Sequence, residues 1–209
     1  MSKQAATRAT ASSNVGRRNR FELANPGEST ASSIDSALER NRGFAAAGGH
    51  QGAVVFPKLR LFVITCLDPR VDPAHFLGLS VSDAMVVRNV GGRVTPEVIN
   101  DVAFLSQLAE TMLPDGRLFE VAVIHHTQCG TGALADDTFR RRYAQRIGVD
   151  QSSLREHAVL DPPTTVSRDV ERLRSAASIS LRITVSGHVY DVLTGLVETV
   201  IPQPAAEDA

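Results

Sequence analysis

Residues 59–66 read Leu-Arg-Leu-Phe-Val-Ile-Thr-Cys, and this short apolar run constrains the fold more than any other stretch. Apolar content this continuous suits a parallel strand covered on both faces, because a strand with one wet face would alternate. The run stops at Cys66, Asp68 and Arg70, so a soft ligand, an acid and a base leave one strand end together. Later in the chain Val121–Ile124 stops in the same way at His125, His126, Cys129 and Gly130. Two strand ends that carry metal-ligand side chains are expected to share one ion.

The elements between and around these runs alternate. Residues 34–47 predict a short helix ended by Gly48 and Gly49. A short turn or helix with His75, Phe76 and Leu77 leads to a second strand at 84–88, after which the pair Gly91-Gly92 predicts a close approach to the backbone. Thr95 as N-cap and Pro96 at the first position open a helix striped by Val98, Val102, Leu105, Leu108 and Met112. A third strand is expected over 118–124, then a helix over about 133–146 whose Arg140, Arg141 and Arg142 predict a solvated basic face. Residues 148–163 read as a loop, with Thr164 or Thr165 capping a helix striped by Val166, Val170 and Leu173. A strand over 181–185, the segment 187–191 and a hairpin or edge strand over 196–201 close the pattern.

Strands alternating with helices imply right-handed crossovers, hence an α/β fold with a mostly parallel central sheet, helices on both faces and an antiparallel edge strand. In such sheets ligands collect beyond the carboxyl ends of the strands, where Cys66 and the His126 to Cys129 segment sit. At 209 residues with 43% hydrophobic content, the chain suits one domain over 33–203, preceded by an arm over 1–32 and followed by a tail over 204–209. The arm has no acid before Glu22 and too little apolar surface to offset ordering entropy, which predicts a flexible segment. Its Arg- and Ser-rich composition also fits an organelle transit peptide or an arm that orders on a partner subunit. A net charge of -1 gives no basis for a nucleic-acid partner. No apolar run approaches the roughly 20 residues that span a bilayer, so a protein of the cytoplasm, without membrane contact, is expected.

The cysteines are two, Cys66 and Cys129, and without a secretory signal they are expected to stay reduced. Zinc accepts thiolate and imidazole in a tetrahedron, so Cys66, His126 and Cys129 make a three-ligand set whose open fourth position marks a catalytic site. Two thiolates cancel the charge of Zn²⁺, so its water should lose a proton less readily than at a three-histidine site. Asp68 lies close enough in sequence to orient that water or to take the fourth position, and Arg70 to hold Asp68 ionised in a bidentate pair. His125 is expected to end the strand or support the site without catalysing. His75 and His188 are expected to be structural rather than proton relays.

Cys66-Leu-Asp68-Pro-Arg70, Arg88-Asn-Val-Gly91-Gly92, His126-Thr-Gln-Cys129-Gly130 and the later Gly187-His-Val-Tyr-Asp-Val together resemble the β-class carbonic anhydrases, in particular their shorter members with a doubled His. The resemblance covers roughly residues 34–201. It implies zinc on Cys66, His126 and Cys129, a gating pair of Asp68 and Arg70, and hydration of carbon dioxide to bicarbonate by a zinc-bound hydroxide. It also implies a homodimer or higher homo-oligomer in which the N-terminal helix packs on the other subunit. Gly91, Gly92, Gly130 and Thr131 are the expected substrate-pocket residues. Three positions depart from the family pattern: Pro69 stands where a small residue is usual, Val90 where Ala is usual, and Thr131 where Met commonly follows Cys-Gly. The family includes hydrolases of carbonyl sulfide and carbon disulfide that these motifs do not separate from anhydrases. A silent zinc-stabilised binding protein and a redox thiol pair are the readings from other classes. The absence of Trp argues against a Trp-containing bicarbonate regulatory site.

Overall fold

The computed structural model describes residues 32–204, so the expected arm and tail fall almost wholly outside the described residues. Five strands form the centre: β1 (Leu61–Cys66), β2 (Ala84–Asn89), β3 (Glu120–His126), β4 (Thr184–Tyr190) and β5 (Val197–Ile201). Their order is β2-β1-β3-β4-β5, the first four parallel and β5 antiparallel to β4, as the apolar runs imply. The helices are α1 (Ser33–Ala46), α2 (Pro73–Phe76), α3 (Pro96–Met112), α4 (Asp137–Ile147), α5 (Gln151–Arg155) and α6 (Pro162–Arg174).

Side-chain alternation assigns the two sheet faces. Phe62, Ile64, Val121, Val123, Val185 and Val189 pack with Val98, Val102 and Ala109 of α3 and Val166, Val170 and Leu173 of α6. Val63, Ala122 and Ile124 point the other way, with Phe76 of α2 and Tyr190 against them. Those two rings stack at 4.6 Å. Gly187 sits inside β4 because α6 crosses there: a Cβ at 187 would lie 2.9 Å from Val170 Cγ2.

Several expected boundaries move. β3 runs two residues beyond Ile124, because His125 and His126 still pair with Val189 and Tyr190 of β4. The two late segments are one strand, β4, and Leu181 is 95% exposed ahead of it. The loop over 148–163 contains α5. Helix α6 starts at Pro162 with Asp161 at the cap position, not Thr164 or Thr165, since proline needs no N–H partner in the first turn. The helix expected over 133–146 divides into a 3-10 turn, Gly130–Ala135, and α4, whose cap Asp136 accepts from Phe139 N at 2.7 Å. Arg140 leaves the solvated face: it is buried, donating to Leu134 O at 2.8 Å and pairing with Asp137. Helix α1 has no buried residue.

Candidate metal centre

Strand β1 ends at Cys66 and its neighbour β3 at His126, which places both beyond one edge of the sheet. Gln128 then adopts a left-handed backbone, φ 57°, which turns the chain back so that Cys129 returns towards His126. The ligand atoms of Cys66, His126 and Cys129 lie within 4.8 Å of one another, and all three residues are buried. His125 does not join them: its ring is turned to Gly92 O and to Asp169 of α6.

The local hydrogen bonds suit a cation. His126 Nδ1 lies 2.9 Å from Thr127 O. A carbonyl can only accept, so the neutral ring carries its proton on Nδ1 and leaves a lone pair on Nε2. Nε2 is buried with no hydrogen-bond partner. Cys66 and Cys129 are free thiols. The hydrogen bond to Cys129, together with burial, pushes the Cys66 thiol up, and the same bond draws Cys129 down against the opposing effect of burial. A bare imidazole nitrogen beside two such sulfurs is a donor set that fits zinc.

Asp68 and Arg70 meet as a fork. Arg70 Nε and Nη2 donate to Oδ1 at 2.9 Å and Oδ2 at 2.7 Å, and the Arg70 amide adds a bond to Oδ1 at 2.9 Å. The guanidinium holds the Asp68 carboxyl below the usual carboxylate range. Arg70 Nη2 also reaches Gln128 O at 3.0 Å, which ties the two ligand-bearing loops together. Arg88 of β2 clamps the turn from beneath, donating to Cys66 O at 3.0 Å, Asp68 O at 2.8 Å and Asp72 Oδ2 at 2.9 Å. Sequence reading singled out Arg88 only as part of a motif and assigned it no task.

The paired glycines meet protein rather than an open cleft. Gly92, φ 66°, lies so close to β1 that a Cβ would sit 2.8 Å from Cys66 N. A Cβ at Gly91 would come 3.2 Å from Thr131 Cγ2, whereas at Gly130 it would meet nothing within 4 Å. Thr131 is itself buried. His75 is exposed on α2, and His188 is tied to Ser186 Oγ at 2.8 Å and Thr199 Oγ1 at 3.1 Å.

Behind the centre lies a brace that sequence reading missed. Arg93, next after Gly92, donates to Asp169 of α6 from Nε at 2.7 Å and Nη2 at 3.0 Å, and also reaches Glu156 O. His125 Nε2 stands 3.2 Å from Gly92 O and 3.3 Å from Asp169 Oδ2. Burial alone would raise the Asp169 carboxyl, but hydrogen bonds from His125 and Arg93 outweigh it and hold the group at about 2. One signal was available: 166, 169, 170 and 173 share one helical stripe, so Asp169 is an acid on the apolar side of α6.

A parallel α/β sheet brings two cysteines and a histidine to one edge, beside an Asp–Arg fork, as a cluster that could hold a metal ion of the kind zinc enzymes use. The family model described as carbonic anhydrase matches residues 61–197. The chain belongs to the β-carbonic anhydrase family of carbonate dehydratases. It is 28% identical over 169 residues to beta-carbonic anhydrase 1 of Mycobacterium tuberculosis, covering 80% of this chain and 98% of that protein. It is also 28% identical over 156 residues to the carbon disulfide hydrolase of Acidithiobacillus thiooxidans, covering 65% of this chain and 74% of the relative. The solved carbonic anhydrase of Streptococcus mutans superposes with a TM-score of 0.69 at 31% identity, covering 82% of this chain and 99% of that one.

Proposed function

We propose that the protein catalyses reversible hydration of carbon dioxide to bicarbonate and a proton, with zinc held by Cys66, His126 and Cys129. The observation that carries this reading is the bare, buried Nε2 of His126 within 4.8 Å of the Cys66 and Cys129 sulfurs. Zinc bound there would supply a Lewis acid that lowers the pKa of a coordinated water enough to make it a nucleophile. The chain's own residues supply orientation. Both Asp68 oxygens are engaged by Arg70, so the carboxylate is fixed and ionised. This favours Asp68 as an acceptor that orients the attacking water over Asp68 as a fourth ligand. Gly130, with open space at its Cβ position, is the pocket residue we assign to the uncharged substrate. Gly91 and Gly92 act as spacers for Thr131 and for the β1 backbone.

A second reading, hydrolysis of carbon disulfide or carbonyl sulfide, is favoured by one observation: the carbon disulfide hydrolase relative is as identical to this chain as the anhydrase relative. Rates measured side by side on carbon dioxide, carbonyl sulfide and carbon disulfide separate the readings. Fast hydration of carbon dioxide is expected. Turnover of a sulfur substrate without it would overturn the first reading.

We also propose a homodimer of the cytoplasm, the compartment that keeps such thiols reduced. Helix α1 buries nothing on its own chain, and edge strand β2 with α3 forms a groove lined by Phe62, Met85, Val86, Val87, Phe104 and Leu105. Both features suit exchange with a second copy, which would cover Phe104, 68% exposed. No helix among the described residues is long and apolar enough to cross a membrane.

A further inference from the structure

Thr131 lies two residues beyond Cys129 and is buried, with its hydroxyl turned towards the metal centre. Oγ1 stands 3.1 Å from Cys129 Sγ and accepts the Val159 amide at 3.2 Å. The Val159 bond occupies a lone pair on Oγ1 and leaves the hydroxyl proton free. A cysteine that binds metal is a thiolate, with no proton to give. The bond between these side chains in the loaded protein therefore runs one way, from O–H to sulfur. Its geometry is fixed on the other side as well. The Thr131 methyl fills the space that a Cβ at Gly91 would need, and a β-branched side chain has few rotamers in which to move away.

We infer that Thr131 is a positioning residue whose hydroxyl donates to the Cys129 sulfur and draws charge from that ligand. The inference rests on the zinc reading above and deepens it. Two thiolates neutralise a divalent cation, and a donor aimed at one of them lessens that neutralisation without altering the ligand set. From outside the ligand set, Cys66 receives the backbone amide of Asp68 at 3.4 Å among the described residues. Thr131 is thus the hydroxyl through which side-chain chemistry adjusts the sulfur pair among the described residues. Through Val159 it also ties the segment between α5 and α6 to a metal ligand.

The test replaces zinc with Co²⁺ in wild type, Thr131→Val and Thr131→Ser, and reads the sulfur-to-cobalt charge-transfer absorption. A hydrogen bond lowers the filled sulfur orbitals. The isosteric valine, which lacks the donor, should therefore move the band to longer wavelength, and serine, which keeps the hydroxyl, should restore the wild-type position. A valine spectrum that coincides with wild type, or a serine spectrum displaced as far as valine, overturns the inference and leaves the zinc reading standing. A wild-type protein that takes up cobalt with no thiolate band overturns both. Should valine unsettle the packing against Gly91, Thr131→Ala removes the donor without filling the space, and the same shift is expected.

Discussion

Replacing Asp169 by alanine tests the brace behind the metal centre most directly. The carboxylate accepts from Arg93 Nε and Nη2, from Val94 N at 3.1 Å and from Arg172 Nη1 at 3.2 Å. Arg93 is 2% exposed, so Asp169→Ala strands a guanidinium where water cannot reach it. Breaking one half of a buried pair costs about 3–5 kcal/mol, a large share of the roughly 5–15 kcal/mol that holds a domain together. Urea unfolding at fixed zinc concentration, followed by circular dichroism, should show that loss. The double variant Arg93→Met with Asp169→Leu removes both charges and should regain most of it. A single-variant loss below about 1 kcal/mol would refute the argument on the scale expected of a buried pair, and so would a double variant as unstable as the single one. Acid gives the same answer by another route. The folded carboxyl at about 2 lies below its ordinary 3.8, so Asp169 contributes stability in full above about pH 4 and loses it as pH falls through 2. The difference corresponds to about 2 kcal/mol, and the alanine variant should lack it.

Three further outcomes are expected. Purified under metal-sparing conditions, wild type should carry about one zinc per subunit, as three convergent ligands require, and Cys129→Ser should lose it by elemental analysis; full zinc content in the variant would remove Cys129 from the ligand set. Asp68→Ala should retain zinc while hydration falls about 100-fold or more, the scale of a lost orienting group, in stopped-flow assays; wild-type rates would end the orienting role. Phe104→Glu places a charge in the groove between β2 and α3, and should shift sedimentation from dimer to monomer if a second copy docks there; an unchanged dimer would move the interface elsewhere.

The β1 strand and its Cys-x-Asp-x-Arg end were legible because the signal is local: an unbroken apolar run, then polar side chains two residues apart. The same holds for His126 and Cys129. Boundaries were less legible, since whether His125 and His126 continue β3 depends on pairing with β4, more than sixty residues away. Arg140 read as surface because helical spacing cannot show that Leu134 O waits for its guanidinium.

By itself the sequence determined the ligand types, their order and the parallel sheet that gathers them at one edge, because strand propensity and residue chemistry act over a few neighbours. Tertiary structure supplied the reason that His126, already chosen from the sequence, meets the sulfurs while His125 does not. The pleat turns the two rings to opposite faces, and the turns beyond the strand ends bring Cys66 and Cys129 to His126, leaving His125 to Asp169. Only there could the brace appear, since Arg93 and Asp169 stand 76 residues apart and pair only once α6 packs on the sheet and excludes water from both. Thr131 belongs to the same class: a substitution visible in the chain, given meaning by the sulfur and the amide that the fold brings to its hydroxyl.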